Sequence, residues 1–349
     1  CMLHSNPQSA AVVGIGVGQT AKSFLLYPIH QIDCIDIEKA VFPIIKNHFK
    51  GLWLDDSRIN VIVDDGRDYL KNTSKKYDIL SIEIGQLFRA QCAPFYSVEF
   101  YQSVKKNLNS NAIVSQFVPL NFLDKTLFLR VVKTFIKVFP HSTLWYNSHE
   151  FLLIGTVDDA VKLDSERITA LLKKKEIFSD CSFSIWGGKQ YAYNRLENVA
   201  ASFICGPITL DTVTYQYTIL VNDRLDLEYA AANHQKYQLE ELNSIIDFIM
   251  LRCDPVISVF KESISDSLVN LSEFTRKHNL LNIKAVSFLQ KHLQTGEVED
   301  LKSAFMLNPL NLDVIMNTAI FASQNNDFDG AFQLYYRIIS IDSTYSPSY

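Results

Sequence analysis

The sequence predicts a doubly wound α/β domain followed by an all-α segment. Three observations predict it. β-rich runs alternate with helical patterns from Ser9 to about Thr156, a Gly-rich turn follows the first run, and strand signals almost vanish after Gln235. Strands that alternate with short helices imply a parallel sheet covered on both faces. At 349 residues the chain is long enough for two or three domains.

The expected strands are Ala10–Ile15, Ile32–Ile37, Ile59–Val63, Tyr77–Glu83, Ala112–Val118, Ser142–Tyr146 and Phe151–Gly155. Between them lie amphipathic stretches at Ala21–Tyr27, Glu38–His48, Ser97–Asn107 and Asp124–Val138. The last carries Leu127, Val131, Val132, Phe135 and Val138 at helical spacing. The short connection between the last two strands predicts an antiparallel hairpin. Beyond Asp158 the pattern weakens: Leu163–Lys175 reads as a helix, and Thr209–Val221, rich in Thr, Tyr, Ile and Val, reads as extended. Tyr237–Leu251 opens a run of helices. The organisation expected is therefore a ligand-binding domain over residues 1–156, a mixed extension over 157–234 and a helical region over 235–349.

The tail carries a pattern of its own: Leu307-Asn308-Pro309, then Asn317-Thr318-Ala319, then Asn326-Asp327-Phe328-Asp329-Gly330-Ala331, then Ile338–Tyr345. It resembles a tetratricopeptide repeat, with a degenerate repeat before it that turns at Gly296; a plain helical bundle is the alternative. Either would serve as an interaction or capping module.

Composition narrows the classes. The net charge is −5 from 33 basic and 38 acidic residues, and the densest basic run is Lys173–Lys175, which counts against a nucleic-acid partner. No apolar run reaches the ~18 residues of a membrane span. Six scattered cysteines without a C-x-x-C pattern read as reduced thiols of a cytoplasmic compartment. Eight histidines without ligand spacing predict no metal site. The chain begins at Cys1 and stops in mid-pattern at Tyr349, and reads as a piece of something longer. Trp53, Trp145 and Trp186 read as packing residues.

The strongest local signal is Ala11–Gly18, where a hydrophobic run ends in Gly14-x-Gly16-x-Gly18 and opens a helix. Glycines let the backbone turn sharply and approach a ligand, and a helix start offers free N–H groups. The second strand ends in Asp36, placed to hydrogen-bond a ribose diol, and the third in Asp64-Asp65-Gly66. Carboxyl ends of consecutive parallel strands build a nucleoside pocket. A dinucleotide fingerprint fails at Gln19, and a P-loop fails because Ala21 precedes Lys22-Ser23. The pattern favours a ligand of the S-adenosylmethionine type.

Here the sequence resembles the polyamine aminopropyltransferases, the spermidine synthases, and most of all the bacterial branch fused behind a membrane region. The residues that carry the likeness are Leu3–Pro7 leading into Val12–Gly18, Asp36–Val41, Val63–Leu70, Tyr77–Glu83, Phe95–Tyr101 and Ile113–Leu120. Tyr96-Ser97-x-Glu99-Phe100-Tyr101 is the most specific block, and Val221–Arg224 with Leu227–Tyr229 looks like a further segment of that branch. The resemblance covers residues 3–156 well and 157–232 loosely.

What it implies is a Rossmann-like sheet of the S-adenosylmethionine methyltransferase type. The activity it implies is transfer of an aminopropyl group from decarboxylated S-adenosylmethionine to an amine such as putrescine, with no prosthetic group. Gly14, Gly16 and Gly18 would cradle the donor, Asp36 hold its ribose, and Asp65 with Gly66 sit at the adenine. Glu83 would take the proton of the attacking amine, and Tyr96 and Gln86 would line the acceptor site. Gln86 stands where typical members carry a second carboxylate, and Val17 where the glycine loop usually holds an aspartate. By residue chemistry alone Glu83 also fits a capping role, and Tyr96 and Tyr101 fit helix packing. The likeness further implies a homodimer and a membrane region upstream of Cys1, and the repeat-like tail implies a protein partner. Two other functions stay open: methyl transfer from intact S-adenosylmethionine, and a catalytically silent nucleoside-sensing scaffold that acts through the tail.

Overall fold

The computed structural model describes every residue except 50, 88, 90, 148–149, 185, 225, 234–237 and 346–349. The described residues form one eight-stranded sheet flanked by helices, and a helical region follows it. The strands are β1 (Ser9–Val13), β2 (Gln31–Asp36), β3 (Ile59–Val63), β4 (Tyr77–Ile82), β5 (Leu108–Val118), β6 (Thr143–Asn147), β7 (Glu150–Thr156) and β8 (Phe203–Cys205). Their order is β3-β2-β1-β4-β5-β7-β6-β8. The first five run parallel, whereas β7 is antiparallel to both β5 and β6, and β8 is antiparallel to β6. The expected hairpin is present, but it is folded inward: β7 inserts between β5 and β6.

Runs such as Ala10–Val13, buried throughout, are what a parallel strand covered on both faces requires. One face is covered by α3 (Gly66–Asn72), α4 (Val98–Lys106) and α5 (Lys125–Val138). There Tyr101, Phe135 and Phe139 pack edge to face in the largest core cluster. The other face is covered by α1 (Gln19–Phe24) and α2 (Val41–His48) over β1 and β2, and by α6 (Ser165–Leu172) and α7 (Lys175–Asp180) nearer β6 and β7. Three of these helices start on side chains the sequence displays. Asp65 accepts from the Arg67 N–H at 2.8 Å, the Ser97 hydroxyl from the Phe100 N–H at 3.2 Å, and Asp124 from the Leu127 N–H at 2.7 Å. Strand order reverses between β1 and β4, so these two helix layers diverge there and leave a crevice above the strands' carboxyl ends.

Two expectations past Asp158 are corrected. Leu163–Lys175 is not one helix, because the chain breaks at Lys173 and Lys174 and restarts as α7. Thr209–Val221 is not extended: α8 (Leu196–Ala200) and β8 lead into α9 (Pro207–Thr214). Pro207 opens that helix at a position where a missing N–H costs nothing. The Asp254 carboxylate accepts from the Gly206 N–H at 2.7 Å and the Thr209 hydroxyl at 2.6 Å. Thr212 and Thr214 turn their hydroxyls onto carbonyls four residues back. Packing and capping from distant residues thus override a β-rich composition.

The remaining helices are α10 (Asp226–Asn233), α11 (Gln238–Met250), α12 (Asp266–Thr295), α13 (Val298–Leu307), α14 (Leu312–Gln324) and α15 (Phe328–Ile341). The expected boundary at 234/235 lies outside the described residues. Gly296, at φ 76°, ends α12 where a left-handed residue is needed, and α13 folds back on it. The Trp186 indole donates to Asn279 at 2.8 Å and the Leu312 N–H to the Trp186 carbonyl at 2.9 Å, which fastens the middle segment to the helical region. Among the described residues no helix is long and apolar enough to cross a membrane.

Candidate functional site

The crevice begins at the turn after β1. Gly14, Gly16 and Gly18 all have positive φ, at 82°, 52° and 81°. Gly14 lines the cleft; Gly16 and Gly18 shape the turn that leads into α1. Asp36 ties this turn down, since its Oδ2 accepts from the Ile15 N–H at 3.0 Å and its Oδ1 from the Glu38 N–H at 2.9 Å. A carboxylate oxygen accepts more than one hydrogen bond, so both keep capacity for a ligand's hydroxyls.

Asp65 and Gly66 form the next wall. A Cβ on Gly66 would lie 2.4 Å from Val13, so α3 begins directly against β1. Burial pushes the Asp65 carboxyl up, but hydrogen bonds and charge from Arg67 outweigh it and hold it below the ordinary range. The Arg67 guanidinium in turn lies 5.4 Å from the centre of the Phe95 ring. Phe95, Cys92 and Gln91 close the cleft from the segment after β4, and Ile37 flanks its mouth, 68% exposed. The space is about 520 Å³ with its open mouth, the size of a small-molecule site. The apolar Ile37 beside the Asp36 carboxylate leaves a flat hydrophobic face next to two polar acceptors.

Glu83 follows β4 and sits against Gly14: its N–H donates to the Val13 carbonyl at 2.9 Å, and its carbonyl would lie 3.4 Å from a Cβ at Gly14. The Ser81 hydroxyl donates to its Oε1 at 2.7 Å and fixes the side chain. Glu83 is half-buried and Gln86 is exposed. Tyr96 is placed differently from its expected role. It is fully buried, and its hydroxyl lies within hydrogen-bond reach of the Ile84 and Phe117 carbonyls. Burial keeps that phenol protonated, so it donates to this pair and holds the exits of β4 and β5 together rather than touching a ligand in the cleft. Tyr101 is likewise core, 3.1 Å from Gln116. Among the described residues no group of three or more His, Cys, Asp and Glu is disposed to hold a metal.

This geometry can be set beside known proteins. Residues 1–149 match the spermine/spermidine synthase domain family. The polyamine aminopropyltransferase of Korarchaeum cryptofilum is 23% identical over 137 residues, 38% of this chain and 42% of that protein. That of Methanocaldococcus jannaschii is 25% identical over 187 residues, 50% of this chain and 63% of that protein. The chain thus spans roughly half the length of the curated relatives it matches. A crystal structure of a spermidine synthase in complex with the transition state analogue AdoDATO aligns over 50% of this chain and 62% of its own. That alignment has 21% identity and a TM-score of 0.41. The matched domain and these two relatives support the polyamine aminopropyltransferase family for the first part of the chain.

Beside the matched synthase domain stands a carboxyl group that sequence reasoning did not single out. Glu150 opens β7 at the carboxyl edge of the sheet, and its Oε2 accepts from the Leu120 N–H at 2.6 Å. Burial raises its pKa to about 7, against a small lowering by that N–H. No sequence signal marks it, because its burial arises only once β7 has been inserted beside β5. A carboxyl raised from 4.5 to about 7 makes folding less favourable as pH rises through that window, since the folded state there binds the extra proton. Glu150→Gln keeps an acceptor for Leu120 and never ionises. It is therefore expected to gain about 1–3 kcal/mol over the wild type between pH 5 and pH 8, read as the difference in urea unfolding free energies. Equal pH dependence in the two proteins would refute the raised pKa.

Proposed function

We propose that the chain transfers an aminopropyl group from decarboxylated S-adenosylmethionine to an amine. The observation that carries this reading is the continuity of the carboxyl edge: Asp65 and Gly66 after β3, Asp36 on β2, Gly14 after β1, and Glu83 against Gly14. Adenine would lie at Asp65 and Phe95, the ribose diol at Asp36, and the sulfonium near Gly14. Glu83 then accepts a proton from the incoming ammonium. The freed amine attacks the propyl carbon, a carbon–nitrogen bond forms, the carbon–sulfur bond breaks, and methylthioadenosine leaves with the sulfonium's electron pair. Because the attack is a displacement between two bound partners, most of the gain comes from holding them in line. The names of the relatives and the matched domain support the same chemistry.

Titration calorimetry with three nucleosides tests the reading. The decarboxylated donor is expected to bind at least about tenfold tighter than intact S-adenosylmethionine, whose carboxylate would meet Glu83 and be repelled. Methylthioadenosine is expected to bind too. Preference for the intact form would favour methyl transfer, and binding of none would overturn the donor site.

For the remainder, we propose that residues 235–349 form tetratricopeptide-like helix pairs that engage a protein partner, and that the chain belongs to a membrane-fused branch of the family. The short turns that join α12 to α13 and α14 to α15 support it, as does a stripe of exposed Phe328, Phe332, Tyr336 and Ile339 along α15.

A further inference from the structure

β3 is the outer strand of the sheet, and among the described residues it pairs with β2 alone. Its sequence, Ile59-Asn60-Val61-Ile62-Val63, is rich in β-branched residues and holds no lysine, no proline and no bulge. Those are the devices by which an edge strand prevents further pairing. The hydrogen bonds show which way its backbone points. The Ile32 N–H donates to the Arg58 carbonyl at 2.8 Å and the Asp64 N–H to the Asp36 carbonyl at 3.1 Å, so the even-numbered positions address β2. Main-chain groups alternate between the two sides of a strand, and Ile59, Val61 and Val63 therefore turn theirs outward.

The side chains divide in the same way. Asn60 donates to Asp33 and Ile62 packs into the core under α3, whereas Ile59, Val61 and Val63 share the face toward α2. Ile59 is covered there, but Val61 and Val63 stay 42% and 49% exposed. The apolar surface continues beyond the strand. Leu52, in the turn Gly51–Asp55 that touches both α2 and β3, is 75% exposed, and Ile44 and Phe49 at α2 are exposed as well. Exposed apolar side chains gathered at one edge mark an interaction surface rather than scattered surface residues.

We propose that β3 pairs antiparallel with β3 of a second copy of this chain, about a two-fold axis at Val61, and joins the two sheets into one. The outward-facing residues are symmetric about that position. With Val61 opposite the partner's Val61, Ile59 meets the partner's Val63, and both are hydrogen-bonded pairs, which recur at every second residue of an antiparallel ladder. An axis perpendicular to the sheet keeps each face on its own side. The exposed valines of both copies then become cross-strand neighbours about 5 Å apart.

Charge fixes the direction. Arg58 precedes β3 and Asp64 follows it, so the antiparallel register sets each Arg58 level with the partner's Asp64. A parallel partner in register would set like charge on like. The Arg58 guanidinium is held at 2.9 Å by Asp56 and remains part exposed, and the exposed Asp64 carboxylate accepts the Asp65 N–H at 2.8 Å. Such a pairing uses one patch twice and closes on itself. It stands independently of the proposed aminopropyl transfer.

Sedimentation velocity of the full chain over a range of micromolar concentrations tests it, and a monomer–dimer equilibrium is expected. Val61→Lys sets two ammonium groups opposite each other at the axis and should weaken the dimer at least about a hundredfold. Asp64→Arg, which would face the partner's Arg58, should weaken it about tenfold. Val61→Cys gives a reading that does not depend on destabilisation. Opposite residues of a hydrogen-bonded pair lie about 5.5 Å apart at Cα, within reach of a disulfide. Mild oxidation should link this variant into dimers faster than the wild type with its six cysteines, and faster than Leu52→Cys, which is more exposed but outside the strand. A wild type that stays monomeric, a dimer indifferent to Val61→Lys, or linking of Val61→Cys no faster than of Leu52→Cys would each overturn the interface. Open-ended assemblies in place of dimers would overturn it too.

Discussion

Glu83→Gln is expected to lower kcat for aminopropyl transfer by 10²- to 10⁴-fold, roughly what a positioned proton acceptor contributes. The substitution is nearly isosteric, and its side-chain carbonyl still accepts from the Ser81 hydroxyl, so the rotamer fixed at 2.7 Å survives. Donor affinity should change little, because the cleft walls at Gly14, Asp36 and Asp65 are untouched. The variant can use only amines already deprotonated by solvent. Its kcat/KM should therefore rise about tenfold per pH unit toward the amine's own pKa, near 10, whereas the wild type levels off earlier. Steady-state rates from pH 7 to pH 10 check this. A loss of less than about tenfold, or parallel pH profiles, would mean that Glu83 only caps the strand.

The legible part of this site is the part written at strand ends. Gly14, Asp36, Asp65 and Gly66 follow three consecutive β-rich runs, and parallel pairing alone brings such ends to one edge, so reading the strands was enough to gather them. The cleft's outer wall was not legible. Gln91 and Cys92 come from an irregular segment with no motif, placed by contacts far along the chain, among them the Glu228 carboxylate 3.3 Å from the Gln91 N–H. Phe95 stood in a visible block with no local sign that it lines the cleft. Tyr96 shows the opposite limit. Its motif was visible, but whether a tyrosine beside a site faces the ligand or the core depends on where the two backbone carbonyls it reaches are placed. Ile84 and Phe117 belong to different strand exits.

The same contrast runs through the fold. Periodicity located α5, because Leu127, Val131, Val132, Phe135 and Val138 fall on one stripe and all five are buried. It failed at α9, where the deciding partner, Asp254, is 45 residues from Thr209 and invisible in any local window. It could not show that the terminal hairpin folds inward to place β7 against β5. That reversal carries Glu150 to the carboxyl edge of the sheet, where no local pattern in the sequence marks it.

The glycine turn separates conformational strain from steric conflict, and three alanine substitutions should fall in a fixed order of damage. At Gly16 a Cβ meets nothing within 4 Å, so Gly16→Ala carries only the cost of a left-handed residue, about 1 kcal/mol. Gly14→Ala adds a contact of 2.7 Å with the Ile84 side chain and a tight one of 3.4 Å with the Glu83 carbonyl. Ile84 can move, but it lines the donor cleft, so this variant should lose donor affinity out of proportion to its modest loss of stability. Gly18→Ala is the severe case. Its Cβ would lie 2.2 Å from one atom of the Trp53 ring and 2.7 Å from the next, and a packed indole has no flexible end to yield. The expected destabilisation is about 3–5 kcal/mol, a large fraction of a typical domain's total. Replacing Trp53 with Leu in the same chain should recover most of the steric part and leave the conformational part, because the φ of 81° remains. Urea unfolding of the three variants and the double variant checks the order. If Gly18→Ala proved no worse than Gly16→Ala, the close packing of Trp53 over the turn would be refuted.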